Sequence, residues 1–385
     1  MKKHLLAAAV ATAIAAPAMA QNVQIYGIVG VTQGYASAGT SAGRSFNTGN
    51  GAMSSSRFGV RGTEDLGGGL KASLKLEGSL AGDSGQVGGV GGASNAAPYT
   101  FDRDAFLSLG GGFGEVRIGR QESFVNATIA AVNPTGSNVA GAGYGGSGNN
   151  AYGTNVGTTG GSNNACGTGP QAIASRLNNN VRYISPVFSG FQADIGFVNG
   201  EAGAINGGSA QVGSGNTTQY GVTWSQGPVV IRAGAQEMKL AATTNKAKES
   251  IIGARYNAGD LSVGISFLET DPNTNNTNDR RKATSYSASY VLGGGVTTFG
   301  SYMTLSEDAS ANGGFGTSTA GKHEANAVVV GVKKDLSKRT NLFAIYGTVD
   351  NNQYGTYTLH SSAGMVSGVA GKDGKTALVG AQHSF

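Results

Sequence analysis

Apolar and polar side chains alternate along most of the chain, the period-two pattern of strands with two unlike faces. Between Leu70 and Leu80, one face carries Leu70, Ala72, Leu74, Leu76 and Leu80; the other carries Lys71, Ser73, Lys75 and Glu77. Leu261, Val263, Ile265 and Phe267 oppose Ser262, Gly264 and Ser266, and Tyr220, Val222 and Trp224 oppose Gln219, Gly221, Thr223 and Ser225. Asn326 to Val332 is apolar on both faces and fits this pattern poorly. The alternation predicts sixteen strands, near 23–35, 54–63, 70–80, 100–109, 114–120, 175–185, 190–199, 217–226, 228–240, 248–257, 260–270, 283–292, 295–306, 322–334, 338–350 and 374–385.

Connections between these strands alternate between short and long. The short ones are tight-turn sequences such as Gln226-Gly227-Pro228, Asn257-Ala258-Gly259-Asp260 and Gly293-Gly294. The long ones, near 36–53, 81–99, 121–174, 200–216, 271–282, 307–321 and 351–373, are rich in Gly, Asn, Ser and Thr. An up-and-down meander with short turns at one end and long loops at the other is the arrangement of a membrane barrel. A soluble sandwich would turn a polar face outward. The expected fold class is therefore all-β: a 16-stranded antiparallel transmembrane β-barrel with the long third loop folded into the lumen. An even strand number puts both ends of the barrel on the short-turn, periplasmic side. A barrel of this size is too wide for side chains to fill and holds water, which implies a conduit.

Composition supports the all-β reading. Sixty-six glycines against seven prolines disfavour a helical protein. The glycines have no collagen period, and apolar residues recur throughout. Lys2 and Lys3, the apolar run Leu5 to Ala16 and Ala18-Met19-Ala20 read as a signal peptide cleaved after residue 20, which leaves 21–385 as the barrel domain. Losing Lys2 and Lys3 takes the formal charge from +5 to +3. Cys166 is the single cysteine, so a closed hydrogen-bonded barrel has to stabilise this secreted chain without disulfides.

Residues 121–174 form the longest connection and are expected to act as a constriction loop. Ile129 to Val132 are apolar enough to pack, and Pro134 ends any short helix there, so the first half is expected to fold into the barrel, while the Gly/Asn-rich half around Gly141 to Gly169 is open to staying outside. Strand parity turns Arg57, Arg61, Lys71, Lys75, Arg176, Arg182, Arg232 and Arg255 inward, against few inward acids: Glu77, Asp194 and, by a weaker parity, Glu115. No Asp or Glu occurs from Ser123 through Ala193. Charged rings set selectivity in such pores, so this excess of bases predicts a preference for anions. Glu122, Asp102 and Asp104 lie close in sequence and are the acids able to oppose it.

Several stretches resemble the general porins of Gram-negative outer membranes, particularly the β-proteobacterial and neisserial group. They are Val23-Gln24-Ile25-Tyr26-Gly27; Ser56-Arg57-Phe58-Gly59-Val60-Arg61-Gly62-Thr63-Glu64-Asp65-Leu66-Gly67-Gly68-Gly69-Leu70-Lys71; Phe113-Gly114-Glu115-Val116-Arg117-Ile118-Gly119-Arg120-Gln121; Asn179-Asn180-Val181-Arg182-Tyr183-Ile184-Ser185-Pro186; and the end from Val379 to Phe385. The resemblance implies an outer-membrane homotrimer for passive diffusion of small hydrophilic solutes and ions, with a basic ladder of Arg57, Arg103 and Arg176 facing the third loop. The full candidate constriction is then Arg57, Arg61, Arg103, Arg176, Arg182, Lys75 and Glu122. The chain lacks the Pro-Glu-Phe-Gly acidic turn of the enterobacterial loop. Phe385 resembles the terminal signal read by the outer-membrane barrel assembly machinery; simple closure of the last strand on the first is the other use of that edge.

A substrate-specific channel for an anionic solute or a sugar remains open, as does a barrel enzyme, although no Ser-His pair stands on the lipid face. Gly39-Thr40-Ser41-Ala42-Gly43 has the spacing of a nucleophile elbow but sits in a Gly/Ser-rich loop. His323, His360 and His383 are scattered, so no metal or cofactor is expected. Basic residues interleaved with aromatics are absent, and nucleic acid is not an expected partner.

Overall fold

The computed structural model describes residues 22–40, 44–87, 101–135, 176–199, 216–239, 246–271, 280–308, 321–355 and 369–385. The expected signal peptide at 1–20 and residues 136–175, which hold most of the expected constriction loop and Cys166, lie outside the described residues.

The strands are β1 (Asn22–Ser37), β2 (Arg44–Asn50), β3 (Arg57–Gly67), β4 (Leu70–Ser79), β5 (Asp104–Gly111), β6 (Gly114–Glu122), β7 (Arg176–Ile184), β8 (Phe191–Val198) and β9 (Thr217–Gln226). They continue with β10 (Val229–Lys239), β11 (Lys246–Ala258), β12 (Leu261–Asp271), β13 (Arg281–Gly293), β14 (Val296–Asp308), β15 (Lys322–Asp335), β16 (Thr340–Asn351) and β17 (Gly374–Ser384). One described helix, α1 (Phe124–Val132), follows β6.

All seventeen segments join one antiparallel sheet that closes where β17 pairs with β1, Ile28 opposite Ser384 through Ser37 opposite Lys375. The other edge of β1 is shared: Val31–Ser37 pair with β2 and Asn22–Ile28 with β3. β2 and β3 therefore fill one place in the ring, and seventeen segments make sixteen barrel strands. Closure leaves no unpaired edge, which the apolar interior of a bilayer requires.

The expected long loop at 36–53 is corrected here. β1 runs on to Ser37, the chain returns as β2, and the ladder breaks only at residues 51–56. The break is held by Ser56 Oγ, which accepts from the Gly30 amide at 2.9 Å, and by the Gly51 amide bonded to Gly30 O at 3.3 Å. The strand expected at 100–109 begins at Asp104 instead. The preceding turn is tied back, since the Asp102 carboxylate accepts from the Ser79 amide at 2.7 Å.

Outward positions form the apolar band: Ile25, Leu107, Ile118, Phe197 and Ile252 are each more than half exposed. The inner wall is not uniform. Cross-strand registers place Arg57, Glu77 and Asp104 inward on β3–β5, and Gly221, Gly234, Gly253 and Gly264 inward on β9–β12. On β14–β17 the inward side is apolar, with Met303, Val329, Ile345 and Leu378 buried in one cluster against which Met53 packs. That cluster explains the double apolar face at Asn326–Val332: Val328, Val330 and Val332 face out, while Ala327 and Val329 face in.

Candidate functional site

Five neighbouring strands and the turn before β5 build a charged cluster on the inner wall. Glu77 on β4 is its hub. Tyr26 Oη donates to Glu77 Oε2 at 2.8 Å, Arg103 Nε donates to Oε1 at 2.6 Å, and Lys75 Nζ and Arg57 Nη1 lie 3.3 Å and 3.8 Å away. Asp104 is the second acid, bonded by Lys75 Nζ at 2.6 Å and Arg176 Nη1 at 3.0 Å. Arg176 also donates to Arg103 O at 3.1 Å and lies 3.6 Å from Glu122 Oε1. The cluster therefore holds four cations (Arg57, Lys75, Arg103 and Arg176) and three carboxylates (Glu77, Asp104 and Glu122). The buried Nη1 of Arg103 has no hydrogen-bond partner among the described residues.

The expectation that inward acids are few needs correcting. Asp104 faces the lumen and, with Glu77, is almost completely buried among bases. A net excess of one positive charge survives in the cluster. Of the expected constriction residues, Arg57, Lys75, Arg103, Arg176 and Glu122 come together. Arg61 lies across from Lys75 but turns away; its Nε and Nη2 donate to Gln24 Oε1 at 2.9 Å and 2.7 Å, and its guanidinium lies 5.0 Å from the Tyr26 ring centroid. Arg182 is consumed in a buried pair with Asp194, Nε to Oδ1 at 2.8 Å and Nη2 to Oδ2 at 2.5 Å. Its Nη1 donates to Glu122 O at 2.9 Å, so Arg182 holds the chain where it leaves the wall.

α1 packs beyond that exit on the inward faces of β9–β12. Ser123 caps it, accepting from the Asn126 amide at 3.2 Å, and Asn133 precedes the Pro134 that cannot extend it. The Phe124 ring lies on the bare backbone of Gly221 and Gly234, which are cross-strand partners; a Cβ at Gly234 would meet Phe124 Cδ1 at 2.5 Å. Val132 sits over Gly253 and Gly264 in the same way. Polar contacts lock the placement. The Phe124 amide donates to Gln219 Oε1 at 2.8 Å, Arg232 Nε donates to Thr128 Oγ1 at 3.1 Å, and the Arg232 guanidinium stacks 4.6 Å from the Phe124 ring centroid.

Strand parity places Arg232 inward from the sequence, but its role as a clamp on α1 has no local signature. Tyr26, Gln219 and the facing glycines are further residues that sequence reasoning missed. Phe385 closes the ring: its amide donates to Gly27 O, and its carbonyl accepts from the Gly27 amide, both at 3.1 Å.

A family model described as Gram-negative porin matches residues 7–354. The chain is 29% identical to outer membrane porin protein 32 of Delftia acidovorans, covering 100% of both chains. It is 28% identical to an outer membrane porin protein of Bordetella pertussis over 91% of this chain and 95% of that one. An anion-selective porin from Comamonas acidovorans superposes with a TM-score of 0.74 at 28% identity, over 95% of this chain and 100% of the other. The trimer form of OmpT from Vibrio cholerae shares the fold, with a TM-score of 0.63 at 17% identity, over 95% of this chain and 100% of that one.

Proposed function

Because the chain belongs to the Gram-negative porin family, we propose that its outer-membrane barrel prefers anions and is narrowed by the segment beginning at Gln121, with α1 as the rigid part of that constriction. The observation that carries this reading is the cation excess at the inner wall, where Arg57, Lys75, Arg103 and Arg176 surround Glu77, Asp104 and Glu122. Arg61, bonded to the neutral Gln24, adds a positive charge beside it. From Ser123 to Ala193 the sequence supplies no carboxylate to build an opposing acidic face. The likeness to an anion-selective porin supports the same sign.

In this reading the first twenty residues are a signal peptide, three chains form the working unit, and the C-terminal strand ending at Phe385 is read by the barrel assembly machinery. The same lumen serves small hydrophilic solutes by passive diffusion, without a cofactor. The test is the zero-current potential of the purified protein in a planar bilayer across a KCl gradient. A potential of the sign set by chloride supports the proposal, and a cation preference overturns it. Liposome swelling with neutral solutes of graded size should show a cut-off; saturation with one solute would replace general diffusion by a specific site.

A further inference from the structure

The outward face of β11–β14 carries an apolar groove of about 600 Å³. Its shape follows from the register. One row across the strands reads Val263, Ala288, Gly300 and Val330, and the row above it reads Ile265, Tyr286, Tyr302 and Val328. Two small residues side by side, Ala288 and Gly300, leave a depression beneath a rim formed by Tyr286 and Tyr302, whose rings stack at 6.4 Å. The groove is continuous with the band that faces the bilayer, so hydrocarbon rather than water meets it.

Below the groove, toward the short-turn end, the surface becomes basic. Lys334 is exposed on the outward side of β15, four residues beyond Val330, where its Nζ donates to Gly294 O and keeps further N–H groups toward the surface, and Lys338 and Arg339 are exposed in the following turn. Asp335, the last residue of β15, is engaged by Lys333 at 3.0 Å; Asp260 stands in the turn on the other flank of the groove. Four strand residues span about 13 Å. Strands tilted about 40° from the membrane normal turn that into a drop of about 10 Å, which carries Lys334 from the level of the apolar groove toward the headgroups. Clustered Lys and Arg at a membrane surface attract anionic headgroups.

We propose that this groove and the basic turn beside it form a site for one anionic glycerophospholipid of the periplasmic leaflet, an acyl chain lying over Ala288 and Gly300 and the phosphate held by Lys334, Lys338 and Arg339. The test is native mass spectrometry of the full-length mature protein in mild detergent, titrated with phosphatidylglycerol or with zwitterionic phosphatidylcholine. The unaltered protein should retain phosphatidylglycerol at concentrations where phosphatidylcholine is lost. Gly300→Trp, which fills the groove, and the combined Lys334→Glu, Lys338→Glu and Arg339→Glu variant should each lower that retention at least tenfold, with single-channel conductance unchanged as the sign of an intact barrel. Equal retention of both lipids, or variants that conduct normally and still bind phosphatidylglycerol, overturns the proposal. So does a change in the number of chains per particle in Gly300→Trp, which would make this face a protein contact. If Gly300→Trp does not assemble, the basic-turn variant decides.

Discussion

Glu77 receives hydrogen bonds from Tyr26 and Arg103 and lies within ion-pair range of Arg57 and Lys75, so its single negative charge offsets several fixed positive ones. Replacing it by glutamine leaves the cations in place and raises the net charge of the wall. A unit charge about 8 Å from a passing ion in a water-like medium is worth about 0.5 kcal/mol, which changes an anion-to-cation permeability ratio about two- to fivefold. Glu77→Gln should therefore move the zero-current potential further toward chloride. It should also lower the temperature at which the folded barrel melts on a gel, because Arg103 is only 6% exposed and loses its main counter-charge. The expected positions Arg61 and Arg182 should separate cleanly. Arg61 is exposed and bonded to a neutral amide, so Arg61→Gln should shift selectivity toward cations by about twofold and leave melting unchanged. Arg182 is neutralised by Asp194 and braces Glu122 O, so Arg182→Ala should cost stability. Equal effects of the two substitutions on selectivity would contradict the pairing.

At the scale of one element, α1 is held by what the wall lacks. A β-carbon at Gly234 would stand 2.5 Å from the Phe124 ring, where an ordinary carbon contact is about 3.5–4.0 Å, so the helix would have to retreat by about 1 Å or more. Retreat from the wall is movement toward the axis. Gly234→Leu should lower single-channel conductance and add open-channel noise, whereas Gly62→Ala on β3, away from the helix and with ordinary room for a β-carbon, should leave conductance as it is. An unchanged conductance in Gly234→Leu would show that α1 does not limit the current. The helix was legible in part: the apolar run Ile129–Val132 and the stop at Pro134 point to it. Its seat was not. Gly221 and Gly234 face each other only through the register of two strands, and glycine carries no hydrophobic period to reveal that. The same limit hid the splitting of one barrel strand into β2 and β3, since the polar sequence Arg44–Asn50 reads as loop while its backbone pairs with β1. It also hid the ion pairs. Glu77 and Arg103 are 26 residues apart and Asp104 and Arg176 are 72 apart, and the neighbours Arg103 and Asp104 cannot both be turned inward by one strand parity, so alternation does not say which charges meet.

On the scale of the whole molecule, the ring number was legible because every strand in a closed barrel must show one face to lipid and the other to the lumen. The closing ladder runs to the last residues. Ser384 pairs opposite Ile28, and Phe385 exchanges both backbone hydrogen bonds with Gly27 while its ring covers the Gly27 backbone. Two roles for Phe385 predict different losses. If the residue matters only as the end of the closing ladder, its deletion removes two hydrogen bonds, worth about 1 kcal/mol each, among the many that seal β1 to β17. Protein refolded in detergent from a chain lacking Phe385 should then melt slightly earlier, and its yield in cells should follow that small loss. If the terminal strand is also what the assembly machinery pairs with, the refolded protein should conduct and melt almost normally while the amount in the outer membrane falls at least tenfold. We expect the second pattern, because an aromatic ring 46% exposed at the barrel's foot adds little to closure yet remains within reach of a partner strand. Comparing membrane yield with the melting temperature of refolded protein measures the two separately, and a loss confined to melting would leave Phe385 with closure alone.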